Sequence, residues 1–370
     1  TPDTIHITTT FEINDSVITT KSISCSNSAI DTFYMMGSME DSLRVKYFLI
    51  KNDGYFDGEQ REIPVFPSGL EETKGQFFVL DRDTTINPIF DQGLSTVTLY
   101  AKADELDILK DEINYLIDYK YACNEQLASK LKAMLAAKQI CEARKERFRY
   151  EKESVEIIDR LLKNRQDNGM WGWWNRQGSS SWISLHVLEA LVKAREMGFS
   201  VKLDIPMLTG DLVWKLQQNN SISDKIRIIR LLKMQDISID LLKFLRELDQ
   251  EKDKTLYEIL SIIELKQLYG IPVKTDTIFS YAKKTLFGNL YFASKQSRWF
   301  YENEVQNALL AYRIISRDTS LAKESLVKIR NFLFENRRNG SWLNTYESAR
   351  VMETLLPEII QSGNQMQKAI

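Results

Sequence analysis

The sequence predicts an antiparallel β-sandwich over residues 1–100 followed by an α/α toroid over residues 101–370. Three observations carry that prediction. The apolar period lengthens from two residues to between three and four near residue 100. Gly, Asn and Asp turn signals punctuate the first part, and the second part contains a weak internal repeat.

In the first part, "TIHITTTFEI", "SVITTKSISC", "LRVKYFLI", "REIPVF", "GQFFVLD" and "STVTLYA" are short β-rich runs, separated by stretches such as "KNDGYFDGE" and "FPSGLEE". Short strands at this spacing belong to an antiparallel sandwich. From residue 104 the pattern is helical. "ELDILKDEINYLIDY" places Leu106, Leu109, Ile113, Leu116 and Ile117 on one face, and "LASKLKAMLAAKQICEA" and "VEIIDRLLKNR" repeat the habit. The acidic run "DELD" (104–107) opens the first helix, where acids complement the dipole. Its spacing does not suit the aspartate-rich chemistry of terpene cyclases, which share the toroid.

The repeat supports the toroid directly. "DNGMWGWWNRQGSSSWISLHVLEALVKA" (167–194) recurs in outline as "RNGSWLNTYESARVMETLLPEI" (338–359), with a degenerate third copy in "FGNLYFASKQSRWFYENEVQNALLAYRII" (287–315). In each, Gly or Asn ends one helix, an aromatic plugs the turn, and Ser or Thr begins the next. Stacked hairpins of this kind close into a ring. Trp171, Trp173, Trp174 and Trp182 are therefore expected as plugs in the core, in preference to a carbohydrate-stacking platform.

Composition bounds the function. The chain is 43% hydrophobic and 27% charged with net charge −2, which gives no reason to expect nucleic acid or an anionic membrane as partner. No apolar run approaches the roughly 20 residues of a membrane span, and there is no signal-peptide pattern. Strand-like sequence begins at residue 1, so the chain is expected to be a piece of a larger protein. With only His6 and His186, and no Cys/His zinc spacing, neither metal nor cofactor is expected. The mixed run "EARKERFRYEKE" (142–153) reads as a solvated helix face.

Three cysteines, Cys25, Cys123 and Cys141, do not build a disulfide scaffold. On one helix Cys123 and Cys141 would lie roughly 27 Å apart, beyond the reach of a bridge. Cys25 and Cys141 are expected as small buried side chains. Cys123 stands in "YKYACNEQLASKL" (119–131), three residues before Gln126. Residues i and i+3 share a helix face, so the thiol can reach the side-chain amide carbon of Gln126. Attack with loss of ammonia would leave an internal γ-glutamyl thioester, stable only where water is excluded. Tyr115, Tyr119, Tyr121 and the Trp-rich segment 171–182 can supply the cover. A helix N-terminus is expected to lower the thiol pKa and assist ring closure. The alternative is a buried cysteine beside a capping glutamine.

"YKYACNEQLASKL" resembles the thioester region of the alpha-2-macroglobulin and complement family, where an aromatic and a small residue precede Cys-x-Glu-Gln. "DNGMWGWW…SSSWISLHVLEALVKAREMGF" and "NGSWLNTYESARVMETLL" resemble that family's later segments in the right order, so the likeness spans about residues 95–360 and is strongest to the bacterial branch. The first hundred residues resemble its β-sandwich (macroglobulin or CUB-like) modules. The resemblance implies that Cys123 is the thioester sulfur, Gln126 the acyl donor and Glu125 the assisting acid. It departs at Ala122, where the family usually has Gly.

The resemblance further implies a single-use, broad-spectrum protease trap whose parent protein is periplasmic or extracellular, at the cell envelope, and not a turnover enzyme. It would capture proteases through their lysine amines and work with other domains of a parent protein. The fragment itself would touch neither membrane nor nucleic acid. A thioester adhesin, and a structural toroid whose thioester never forms, are the other readings. Some members use a histidine to redirect the acyl group to hydroxyls. His186 sits elsewhere, at a position where the family tends to have an aromatic, and is expected to be a packed core residue; amine targets are expected.

Overall fold

A computed structural model of the chain describes residues 4–35, 41–66, 85, 87, 93, 96–99 and 104–363, the last apart from 176–177, 204, 219–220, 235–240, 295–301, 319–320, 322 and 339. The chain divides into two compact units, Thr1–Glu72 and Thr73–Ile370. Residue 100, the expected boundary, lies outside the described residues.

The first unit is a four-stranded antiparallel sheet in the order β2-β1-β3-β4. The strands are β1 (Ile5–Ile13), β2 (Ser16–Cys25), β3 (Ser42–Lys51) and β4 (Phe56–Pro64). Asn14 and Asp15 join β1 to β2 with φ of 48° and 64°, the pair of left-handed residues that a tight hairpin requires. One face carries the small apolar core. Phe11 and Leu43 are buried, and Phe33 stacks on Phe11 with centroids 4.5 Å apart. Of the other two predicted strands, "GQFFVLD" lies outside the described residues. Within "STVTLYA", residues 96–99 are described and form no strand.

The second unit is built of eleven described helices. They are α1 (Glu105–Asp118), α2 (Asn124–Arg144), α3 (Glu151–Lys163), α4 (Ser181–Glu196), α5 (Ile205–Gln217), α6 (Ile222–Met234), α7 (Leu241–Gln250), α8 (Leu256–Leu268), α9 (Glu304–Arg317), α10 (Lys323–Glu335) and α11 (Thr345–Gly363). Asp104 caps α1 by accepting the Asp107 N–H at 2.8 Å. The face predicted for α1 is the buried one, with Leu109 and Leu116 essentially inaccessible.

Helices α2, α4, α6, α8, α9 and α11 pack each against the next, and α11 closes back on α2. This is the ring of an α/α toroid. Helices α1, α3, α5, α7 and α10 pack against that ring. Between α8 and α9 lie a 3-10 stretch (Thr275–Tyr281) and a two-stranded ribbon, β5 (Ala282–Lys284) and β6 (Leu290–Phe292), of which β6 belongs to the degenerate repeat copy. Phe292 is its buried plug.

The ring helices are not simply apolar inward. Lys132 of α2 is 2% exposed and donates to Glu189 of α4 and Glu353 of α11, each at 2.9 Å. Arg350 of α11 donates to the same Glu189 at 2.7 Å. Glu264 of α8 is clasped by Arg230 of α6 and by Arg313 and Arg317 of α9, the last two at 2.7 and 3.0 Å. These cations hold the Glu189 and Glu264 carboxyls below the usual range although burial works the other way. Every ring helix contributes a charge, and the charges are paired, as burial demands.

Three expectations change at this point. Trp171 and Trp182 are buried, but Trp173 and Trp174 are 39% and 53% exposed, because their Gly-rich turn ends at the surface. Cys25 and Cys141 are half-buried free thiols. The run 142–153 is solvated, but α2 ends within it at Lys145 in left-handed conformation (φ 57°), and an irregular connection leads on to α3.

Candidate functional site

Cys123 is the N-cap of α2, in extended conformation, and Gln126 is the third residue of that helix. The first four N–H groups of a helix have no intrahelical partner. Here a reciprocal turn satisfies two of them. The Cys123 backbone N–H donates to Gln126 Oε1 at 3.0 Å, and the Cys123 side chain faces the Gln126 N–H. This capping-box geometry folds the Gln126 carboxamide back over the turn that carries the thiol. Ala122 is not among the residues with positive φ, so the position before the cysteine does not need the left-handed backbone that favours glycine.

The helix start is anchored from the repeat. Asn124 donates its backbone N–H to the Trp173 carbonyl at 3.1 Å and its side-chain amide to the Gly172 carbonyl at 2.8 Å. Asn164 at the end of α3 donates to Asn124 Oδ1 at 2.7 Å. Arg160, Asn164, Trp173 and Trp174 wall a small cleft against Ala122 and Asn124. The rings expected as cover form two groups, of which Tyr115 and Tyr121 are themselves exposed. Tyr115, Tyr119 and Tyr121 meet edge to face, each adjacent pair with centroids 5.8 Å apart. Trp173, Trp182, Tyr346 and His186 form a second chain of rings at 5.3, 5.0 and 4.9 Å.

The thiol does not titrate as expected. Cys123 is 3% exposed, and burial pushes its pKa up; the Gln126 N–H pulls it down less than that, and the neighbouring Glu125 charge adds to the rise. Desolvation of a thiolate outweighs the helix N-terminus here. The same burial raises the Glu125 carboxyl, while hydroxyls of Ser129 and Thr345 and the charge of Lys132 pull it partly back.

Two residues that the sequence did not single out join this group. Ser129 Oγ donates to Glu125 Oε1 at 2.8 Å, and Thr345 Oγ1 lies 2.9 Å from each carboxylate oxygen. His186 Nε2 is 2.8 Å from Ser129 Oγ. His186 is buried, as expected of a core histidine, and burial together with Lys132 holds its pKa well below the usual range, so it is neutral. Ser129 was within reach of sequence reasoning, since it lies one helical turn after Glu125. Thr345 was visible as the hydroxyl residue that begins the helix of the second repeat copy, but not as a partner of Glu125.

No protein-family model matches the chain. Over 98 residues, 25% of the chain, it is 36% identical to the alpha-2-macroglobulin of Escherichia coli strain K12, and that stretch is 6% of the relative. The native conformation of the E. coli protein, reconstructed by cryo-electron microscopy, matches with TM-score 0.53 at 17% identity, covering 98% of this chain and 25% of that one. The chain is thus similar to bacterial alpha-2-macroglobulin in sequence over a quarter of its length and in fold over nearly all of it.

Salmonella alpha-2-macroglobulin, in a crystal structure of the protein reacted with methylamine, matches with TM-score 0.50 at 15% identity, over 100% of this chain and 26% of that one. The chain spans about a quarter of the length of the solved structures it matches. Among its described residues no helix is long and apolar enough to cross a membrane, and no group of three or more His, Cys, Asp or Glu is placed to hold a metal ion.

Proposed function

We propose that this chain is the sheet module and thioester domain of a bacterial alpha-2-macroglobulin-like protease trap. The Cys123 thiol attacks the Gln126 side-chain amide, ammonia leaves, and an internal thioester remains under the tyrosine and tryptophan cover. Cleavage of a bait segment elsewhere in a parent protein of the periplasm or cell envelope then exposes the acyl group. A lysine amine of the attacking protease bonds to the Gln126 carbonyl carbon and the carbon–sulfur bond breaks. Gln126 is left in an isopeptide link and Cys123 as a free thiol. The reaction happens once per molecule, so the protein is an inhibitor and not a turnover enzyme.

The observation that carries this reading is the reciprocal turn between Cys123 and Gln126, with the carboxamide oxygen held on the cysteine N–H at 3.0 Å. Methylamine is a small amine nucleophile, and the Salmonella relative has been solved after reaction with it. The test is intact mass. Ring closure removes about 17 Da, later hydrolysis leaves Glu in place of Gln126 for a gain of about 1 Da, and methylamine adds covalently at the same residue. Cys123→Ala should abolish all three changes. An unmutated chain at its unmodified mass, with Gln126 intact, refutes the thioester.

A further inference from the structure

Lys130 stands one helical turn beyond Gln126 on α2. Residues i and i+4 of a helix face each other, with Cβ atoms about 5–6 Å apart, and helical side chains lean back toward the N-terminus. Lys130 does so here. Its Nζ donates at 3.0 Å to the carbonyl of Tyr119, a residue that precedes the start of α2. The lysine arm therefore runs back along the turn that carries Gln126, and both side chains end near the helix start. The amine rests on the Tyr119 carbonyl, and the carboxamide oxygen rests on the Cys123 N–H at 3.0 Å. Reach is not limiting. The acyl carbon lies two bonds from Cβ of residue 126 and the amine four bonds from Cβ of residue 130, roughly 2.5 Å and roughly 5 Å. Together these exceed the separation of the two Cβ atoms. Both side chains are half-buried, and burial pulls the Lys130 ammonium down from its usual value against the charge of Asp118. The neutral amine is the form that attacks an acyl carbon. Lys132, by contrast, is committed to Glu189 and Glu353 inside the ring.

We propose, on the basis of the thioester reading, that Lys130 is an internal acceptor of the Gln126 acyl group, closing an isopeptide bridge between positions 126 and 130 when no outside amine arrives. In the step, the neutral Nζ bonds to the acyl carbon and the carbon–sulfur bond breaks with its electron pair going to Sγ. One proton leaves Nζ and ends on Sγ. The products are an amide joining 126 to 130 and a free thiol at 123. Nothing enters or leaves, so the bridged chain has the mass of the thioester. While the turn is closed, the Tyr119 carbonyl holds the amine away from the acyl carbon. The ring of the same residue is the centre of the tyrosine ladder, so a displacement of Tyr119 opens the ladder and frees the amine together. The exposed acyl group then meets water, outside amines and an amine tethered one turn away, whose tether gives it a high effective concentration.

The experiment warms the whole chain, short of melting, in amine-free buffer and then quenches any remaining thioester with methylamine. The chain is denatured, alkylated with iodoacetamide and digested with trypsin, which cuts after Lys120 and Lys132 but not after an acylated Lys130. The expected product is peptide 121–132 with an alkylated Cys123, otherwise lighter than its sequence by about 17 Da and carrying no methylamine. Lys130→Arg and Lys130→Gln should lose this species altogether, take methylamine when fresh, and pass on warming to the hydrolysed mass. An unmutated chain that takes methylamine when fresh but yields no bridged peptide overturns the bridge and leaves the thioester standing. So does a bridge mapped to another lysine. Should the unmutated chain be bridged already, with a free Cys123 and no methylamine uptake, Lys130→Gln should regain the uptake, and failure to regain it overturns the bridge. If neither variant folds, the peptide map of the unmutated chain decides alone. A chain that keeps its unmodified mass and takes no methylamine overturns the thioester reading, and this inference with it.

Discussion

Trp171 donates its indole N–H to the Leu161 carbonyl at 2.7 Å, and Trp342 donates to the Leu333 carbonyl at 2.8 Å. Each indole satisfies a carbonyl in the last turn of the helix before it, α3 in one case and α10 in the other. In both turns an arginine, Arg165 or Arg337, lies over the indole and donates to a glycine carbonyl, Gly169 or Gly340, and both glycines have positive φ. Trp342→Phe keeps most of the apolar volume and removes the donor, leaving a buried carbonyl unsatisfied. It should cost about 1–3 kcal/mol in urea unfolding. A variant as stable as the unmutated chain would show that the bond is dispensable.

Glu264 is surrounded by Arg230, Arg313 and Arg317 and is 1% exposed. Glu264→Gln leaves three guanidinium groups on α6 and α9 without their carboxylate. The expected loss is about 3–5 kcal/mol, read by chemical denaturation, and much larger than the loss for Glu156→Gln in the exposed Lys152–Glu156 pair on α3. Equal losses would mean that water reaches the ring interior.

Glu112 on α1 is fully buried, and neither of its carboxylate oxygens has a hydrogen-bond partner among the described residues. Burial pushes its pKa up to about 7, and the nearby Ser348 hydroxyl and Arg337 charge pull it back only in part. The folded chain therefore holds this proton more tightly than the unfolded chain does. Stability is fullest below the unfolded carboxyl pKa and falls as pH rises through the folded value, by on the order of 3 kcal/mol at most. Glu112→Gln should flatten this part of the profile and stabilise the chain at mildly alkaline pH. Parallel melting curves for the two chains across this window would contradict the assignment.

The chain has two histidines, His6 on β1 and His186, whose Nε2 is engaged by Ser129. His186 Nδ1 has no hydrogen-bond partner among the described residues, but the ring is buried and packed edge-on against Tyr346, so it is not offered as a hydroxyl-directing group. The thioester, once formed, is expected to take methylamine well ahead of glycerol, with adduct masses at Gln126 as the measurement. Equal labelling by both would show that a hydroxyl-directing group operates.

Tyr119 stands at the centre of the tyrosine ladder, in edge-to-face contact with both Tyr115 and Tyr121. If the ladder shelters the acyl bond, Tyr119→Ala should shift the chain toward the hydrolysed mass, with Glu in place of Gln126, under conditions where the unmutated chain keeps its thioester. An unchanged ratio of the two masses would assign the shelter to the tryptophan side.

The sequence by itself determined what local physics determines. Strand and helix follow from apolar period, the β1–β2 hairpin from Asn14 and Asp15, the start of α1 from Asp104, and the plugged turns from Trp after Gly. Cys123 and Gln126 belong to this class too, since three residues at a helix start bring them together without help from the rest of the chain.

Only the tertiary structure decided the surroundings. Ser129 meets His186 across 57 residues, and Thr345 meets Glu125 across 220. Those contacts exist because α4 and α11 flank α2 in the ring. The direction of the Cys123 titration was read the wrong way from sequence, because a helix terminus favours a thiolate while burial, which the sequence did not show, opposes it more strongly. Closing the ring set the depth of the sulfur, and depth fixed the sign.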